Sequence, residues 1–248
     1  MLRREGPLNR FWRPALAFCL IVAASLACGL PGGPSGPART PAPGPAKDPS
    51  PTPQVFFQDA FETTQHGWNR AAEDNSWTDY GSGVYVIQVE KANTLMWANP
   101  SADSQQAIPK NVRIVVTATR QSGSENNAFG ITCRVQDQDN FYFLVVSSDG
   151  YYAIGKMDKG RISFLGERNK RTMDRMESRP RAGQPLTIEA ICRENMLTLR
   201  LNGKALRSLT DDTFKQGGVG LIAATFGEPN VEIHFDNFRA EKPAGAGN

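Results

Sequence analysis

The chain has 248 residues, 40% of them hydrophobic, with 13 Phe and 4 Trp. That is enough to build one domain with a real core plus appendages, and it excludes wholesale disorder. Two His exclude a multi-histidine metal centre. The formal charge of +3 comes from residues 1–27, which hold Arg3, Arg4, Arg10 and Arg13 against Glu5. The remaining chain carries 24 basic and 24 acidic residues, so it has no overall field to attract phosphates, and nucleic acid is excluded as a partner.

Residues 1–27 are predicted to be a signal peptide. A basic segment from Arg3 to Arg13 precedes an apolar run, Pro14–Ala27, of about 14 residues. That run is short of the roughly 20 needed to span a bilayer and fits a signal core. It ends in Ala24-Ser25-Leu26-Ala27-Cys28. This resembles a bacterial lipobox, with Ser25 where leucine is commonest. The resemblance implies a lipoprotein held to the membrane through lipidated Cys28, on the extracellular or periplasmic side. An ordinary secretory signal and an uncleaved anchor are the alternatives. Residues 28–53 are rich in Pro and Gly and carry no aromatic side chain. Such a segment cannot offset its ordering entropy and reads as a disordered tether.

Residues 54–241 read as short strands. Gly83–Glu90 is one. Val112–Arg120 places Val112, Ile114, Val116 and Ala118 on one face. Ala128–Val135 places Phe129, Ile131, Cys133 and Val135 inward, against Gly130, Thr132 and Arg134. Then come Phe141–Ser147, Tyr151–Met157, Ile162–Leu165, Leu186–Arg193, Met196–Leu201, Ala205–Leu209, Val219–Thr225 and Val231–Phe238. Turn residues separate them, with Asn202-Gly203 the strongest hairpin signal. No fixed-period repeat supports a propeller or solenoid. The pattern predicts an all-β sandwich. Glu167–Arg181 reads as a charged, solvated loop with one turn of helix near Thr172–Met176; a basic binding loop is the alternative. Residues 242–248 read as a disordered tail.

Four cysteines are present. Cys19 lies in the signal core and Cys28 in the lipobox. Cys133 and Cys192 remain, both on the inward phase of their strands. In an exported domain that pair predicts a disulfide; two buried thiols are the alternative.

A series of motifs runs in order: Gln58-Asp59-Ala60-Phe61, Gly67-Trp68, Phe129-Gly130-Ile131-Thr132-Cys133-Arg134, Asp139-Asn140-Phe141-Tyr142, Ser148-Asp149-Gly150-Tyr151-Tyr152, Leu197–Lys204, Gly218-Val219-Gly220-Leu221 and Phe235-Asp236-Asn237-Phe238. Over about residues 55–240 this resembles the concanavalin A-like lectin/glucanase superfamily, in particular its laminin-G-like and 3-keto-disaccharide hydrolase-type domains. The resemblance implies a jelly-roll of two antiparallel sheets with the terminal strands side by side. It implies three functions: a non-catalytic carbohydrate-binding module, a glycoside hydrolase or 3-keto-glycoside-cleaving enzyme, or a protein-interaction module.

Retaining glucanases of the superfamily set two carboxylates on one strand face as Glu-x-Asp-x-Glu. That motif is missing here, and so is a Gly-x-Ser-x-Gly elbow. Glu232, His234 and Asp236 share one face of the last strand but read as its solvated side. The binding-module reading is therefore preferred. Sugar rings stack on aromatic faces, with polar neighbours taking the hydroxyls. Trp77 and Tyr80 lie in a polar loop, Glu73–Tyr80. Tyr142 and Tyr152 are expected on the phase opposite the core. These four are the candidate ligand contacts, and Trp68 is expected to cap the core. Asp59 and Asp236, which the resemblance brings to one edge, are candidate ligands for Ca²⁺, the one cofactor the residues suggest.

Overall fold

The computed structural model describes residues 53–166 and 172–245. The signal peptide, Cys28, the tether as far as residue 52, residues 167–171 of the charged loop and the last three residues lie outside the described residues.

The elements in chain order are β1 (Val55–Asp59), β2 (Ala71–Glu73), β3 (Ser76–Gly81), β4 (Val84–Val89), β5 (Leu95–Ala98), the short helix α1 (Ala102–Gln105), β6 (Val112–Gly123), β7 (Asn127–Asp137), β8 (Asn140–Val146), β9 (Tyr151–Asp158), β10 (Arg161–Phe164), β11 (Asp174–Arg175), β12 (Leu186–Arg193), β13 (Met196–Leu201), β14 (Lys204–Thr210), β15 (Gly218–Thr225) and β16 (Val231–Glu241). They form two antiparallel sheets, as the jelly-roll expectation requires. The nine-stranded sheet runs β14-β13-β12-β6-β16-β4-β3-β2 with β1 also on β16; the seven-stranded sheet runs β10-β9-β8-β7-β15-β5 with β11 also on β9. The terminal strands meet as expected: Asp59 pairs with Phe238, and the Phe57 and Phe238 rings are 5.7 Å apart.

The core lies between the sheets. Val112, Ile114, Val116 and Ala118 enter it from β6, opposite Phe129, Ile131 and Cys133 of β7. Cys133 and Cys192 are bonded and fully buried. Since they lie on β7 and β12, the bond ties one sheet to the other. Trp68 is buried in the core beside Phe61, Tyr85 and Phe238.

Three local expectations are corrected. On β7 the pairing with β8 shifts between Cys133 and Asp137, and Arg134 has φ 54°. The extra residue of a bulge reverses the phase. Arg134, expected outside, is 2% exposed and donates to Phe214 O at 2.8 Å and to Glu194 O. Val135, expected in the core, packs on the outer side of the seven-stranded sheet. The second correction concerns Glu73–Tyr80, which is not a loop but the β2–β3 hairpin. Asp74 and Asn75 at its tip have φ 47° and 68°, a pair that a tight hairpin turn favours. The third is at Asp174–Arg175, which pairs with Tyr152 and Tyr151 as a strand where a helical turn was expected. At the chain's end, residues 242–245 lie against the domain: Lys242 N donates to Gln54 O at 2.8 Å, and Gly245 O accepts from Arg193 at 3.0 Å.

Candidate functional site

The four aromatic candidates do not come together. Trp77 and Tyr80 are three residues apart on β3, and side chains three apart on a strand point to opposite faces. Trp77 is 36% exposed on the outer face of the nine-stranded sheet, opposite Gln88. Tyr80 turns inward; its hydroxyl accepts Trp68 N–H at 2.9 Å and its ring meets Tyr85 edge-on. Tyr142 is 0% exposed and belongs to the main core. Tyr152 packs half-buried against the same core. It also lines a pocket of about 280 Å³ with Arg175, Glu177, Asn202 and Lys204.

The phase expected for β8 and β9 is thus reversed. β8 carries Phe141, Phe143 and Val145 on one face and Tyr142, Leu144 and Val146 on the other, all buried. Alternation cannot identify the core face of a strand that is apolar on both. The outer face of the seven-stranded sheet is a second apolar layer, built on Ala128, Phe141, Phe143, Val145, Ala153 and Ile222, with the Trp97 ring over Phe141 at 5.8 Å.

At one end of this layer is a cavity of about 480 Å³. Tyr151, Phe164 and Phe226 line it together with Met173, Thr172, Asn126, Asn127, Ser147 and Asp149. Tyr151 opens β9 in phase with Ala153. Phe164 closes β10 and meets Phe143 edge-on at 6.1 Å. Phe226 follows β15, its N–H reaching Asn126 O at 3.4 Å.

The polar wall is preorganised. The buried Asn127 amide donates to Ser124 O at 2.7 Å and to Ser148 Oγ at 3.0 Å, and accepts Ser148 N–H at 3.1 Å. Ser147 Oγ bonds the Asp149 carboxylate and accepts Tyr151 N–H at 3.3 Å. The Tyr151 hydroxyl and the Asn126 side-chain amide have no hydrogen-bond partner among the described residues. The cavity therefore offers ring faces, an apolar floor, and free donors and acceptors in one place. The alternation of β9 points to Tyr152 rather than Tyr151 because its core phase is reversed, and Phe164 and Phe226 carry no signal in the sequence beyond their apolar character.

The other candidates fall elsewhere. Asp59 is buried, and its carboxylate oxygens accept Phe61 N–H at 2.7 Å and Trp68 Nε1–H at 3.0 Å. Asp236 accepts the N–H of Asn237 at 2.6 Å. Among the described residues, no group of three His, Cys, Asp or Glu is placed to hold a metal ion. Glu232 and His234 form a pair at 2.6 Å on the outer side of the nine-stranded sheet.

No protein-family model matches the chain, and a search of the curated proteins gives no match. Solved structures do match. The carbohydrate-binding module CBM66 from Bacillus subtilis has a TM-score of 0.55 at 13% identity, covering 71% of this chain and 96% of that one. The laminarinase catalytic domain from Thermotoga maritima MSB8 has a TM-score of 0.53 at 11% identity, covering 77% and 99%. The β-glucanase from Bacillus licheniformis has a TM-score of 0.52 at 10% identity, covering 78% and 100%. At such identities the likeness is one of fold alone, a jelly-roll sandwich of two antiparallel sheets.

Proposed function

We propose that the protein is a non-catalytic carbohydrate-binding module, exported and held at the cell surface by a lipidated Cys28. In this reading a glycan enters the cavity of Tyr151, Phe164 and Phe226. The observation that carries it is the meeting of three aromatic rings with Asn126, Asn127, Ser147 and Asp149 around one cavity. Aromatic faces take the C–H faces of sugars, and the amides, hydroxyl and carboxylate take their hydroxyl groups. The fold likeness to a carbohydrate-binding module agrees with it. So does the outer layer of the seven-stranded sheet, where Phe141, Phe143, Val145, Ala153 and Met157 occupy the outward positions of β8 and β9. A retaining glycosidase needs two carboxylates about 5 Å apart around the scissile bond, and among the described residues Asp149 is the one carboxylate lining this cavity. The buried disulfide fits an oxidising compartment, as export requires.

The test is a glycan array probed with the full-length exported protein, followed by incubation of each hit with detection of new reducing ends. Binding without turnover is expected, and Tyr151→Ala should weaken it at least about tenfold, or 1.4 kcal/mol. Because Tyr151 is only half-buried, its melting temperature should stay close to wild type. Release of reducing ends, or unchanged affinity in Tyr151→Ala, would overturn the reading.

A further inference from the structure

We infer that the outer face of the nine-stranded sheet holds a second site, a groove for an acidic polysaccharide bearing carboxylate or sulfate groups. It deepens the carbohydrate reading above and rests on it. The groove, about 490 Å³, lies along β12 and β13, with Pro243 and Ala244 on its lining. Arg113, Arg193, Arg200 and Glu189 supply its charge.

The carboxylates here are already neutralised. Glu189 and Glu241 are buried, and Arg113 bridges them, reaching Glu189 Oε2 at 2.6 Å and Glu241 Oε1 with its other arm. Arg239 adds a contact to Glu241 at 2.9 Å, and Arg200 one to Glu189 at 3.5 Å. Three guanidiniums, those of Arg113, Arg200 and Arg239, contact the two carboxylates and Arg193 contacts neither, which leaves a local excess of positive charge. Guanidinium groups present paired donors that match carboxylate and sulfate oxygens. The buried glutamates fix Arg113 before any ligand arrives, while Arg193 and Arg200 are steadied by donating to the carbonyls of Gly245 and Gly203.

The register sets the ligand's shape. Glu189 pairs with Arg200, Ile191 with Thr198, and Arg193 with Met196. Arg200 and Arg193 thus lie at opposite ends of the groove, about 14 Å apart along the strands. The cross-strand pair of apolar Ile191 and Thr198 lies between them, and exposed Met196 sits beside Arg193. A single small anion meets one guanidinium, whereas a chain with charged groups on successive sugars meets both and gains by linkage. No aromatic residue lines the groove among the described residues, so it lacks the stacking platform that single-stranded nucleic acid uses.

Affinity electrophoresis of the full-length protein in polygalacturonate, dextran sulfate and neutral dextran tests this. Arg193→Gln and the Arg193→Gln/Arg200→Gln pair are the variants. Both leave Arg113 on the buried glutamates, and Arg193 itself touches no carboxylate. The wild type should be retarded by an acidic polymer, less so at high salt, and free galacturonate should compete weakly. The double variant should lose at least about tenfold in affinity with its melting temperature preserved, and Arg193→Gln part of that. No retardation by either acidic polymer, or equal retardation of wild type and double variant, would overturn the proposal. So would capture by phosphatidylglycerol vesicles in place of the polysaccharides, which would reassign the groove to a lipid headgroup. Tyr151→Ala, run on the same gels, should leave retardation by the acidic polymers intact. Array binding lost in Tyr151→Ala alone keeps the main reading when the groove fails; loss of both sinks the carbohydrate reading itself.

Discussion

The Tyr142 hydroxyl donates to Asp211 Oδ1 at 2.5 Å and accepts the Phe214 N–H at 3.0 Å. Lys156 Nζ reaches Asp211 Oδ2 at 3.1 Å. A buried ring expected to meet ligand instead pins the segment after β14 over the core. Burial opposes ionisation of Asp211, but hydrogen bonds from Thr213, Tyr142 and Lys156 outweigh it and hold its pKa down at about 2, against an ordinary 3.8. Tyr142 is pushed the other way, to about 12, by burial first and by the Asp211 carboxylate second. For a carboxylate lowered on folding, the stabilisation is present above the unfolded value and lost as pH falls through the folded one. At neutral pH, Asp211→Asn should therefore cost at most about 2 kcal/mol, since the group is only partly shielded from water. The gap to wild type should close between about pH 4 and 2. Urea unfolding of both proteins across that range checks it; parallel pH profiles would assign the titration to other groups.

At the scale of elements, the disulfide is the link that matters most. It joins β7 to β12, one strand from each sheet, across a sequence separation of 59. In the chain-entropy model a loop of that length contributes roughly 4 kcal/mol. The Cys133→Ala/Cys192→Ala double variant should melt roughly 8–16 °C below wild type while keeping its far-ultraviolet spectrum. A melting point within error of wild type would show that packing alone holds the sheets together.

The same elements show what the sequence made legible. The β6 alternation read correctly because Arg113, Thr117 and Thr119 mark its outer side. The cysteine pair read correctly because both residues fell on inward phases. β8 misled because Phe141 and Phe143 on its outer side are as apolar as Leu144 on its inner side. β7 read correctly as far as Cys133, where the bulge at Arg134 inverted the remainder. The candidate cavity was illegible for a related reason. It gathers Tyr151, Phe164 and Phe226 from β9, β10 and the end of β15, and no local pattern joins them.

For the whole molecule, the two proposed sites lie on opposite outer faces of the sandwich, one on each sheet. A module that engages glycan on both faces needs clearance from the surface that carries it. In the proposed reading the 26 residues from Cys28 to Pro53 set an upper limit to that clearance of roughly 80 Å, at ~3.1 Å per residue of polyproline. The lipidation proposed for Cys28, a thioether-linked diacylglycerol with a further acyl chain, would be a stable anchor, since more than one chain is needed. Cys28→Ala should thus move the protein from the membrane fraction to the soluble exported fraction, or leave an unprocessed precursor. The released domain should bind the same glycans with the same affinity in solution, because neither proposed site includes the anchor. Fractionation with immunoblotting, followed by the array, reads both outcomes. Normal processing with unchanged membrane partitioning would remove the lipid anchor from the account, and lost glycan affinity in the released form would place part of the binding surface in the tether.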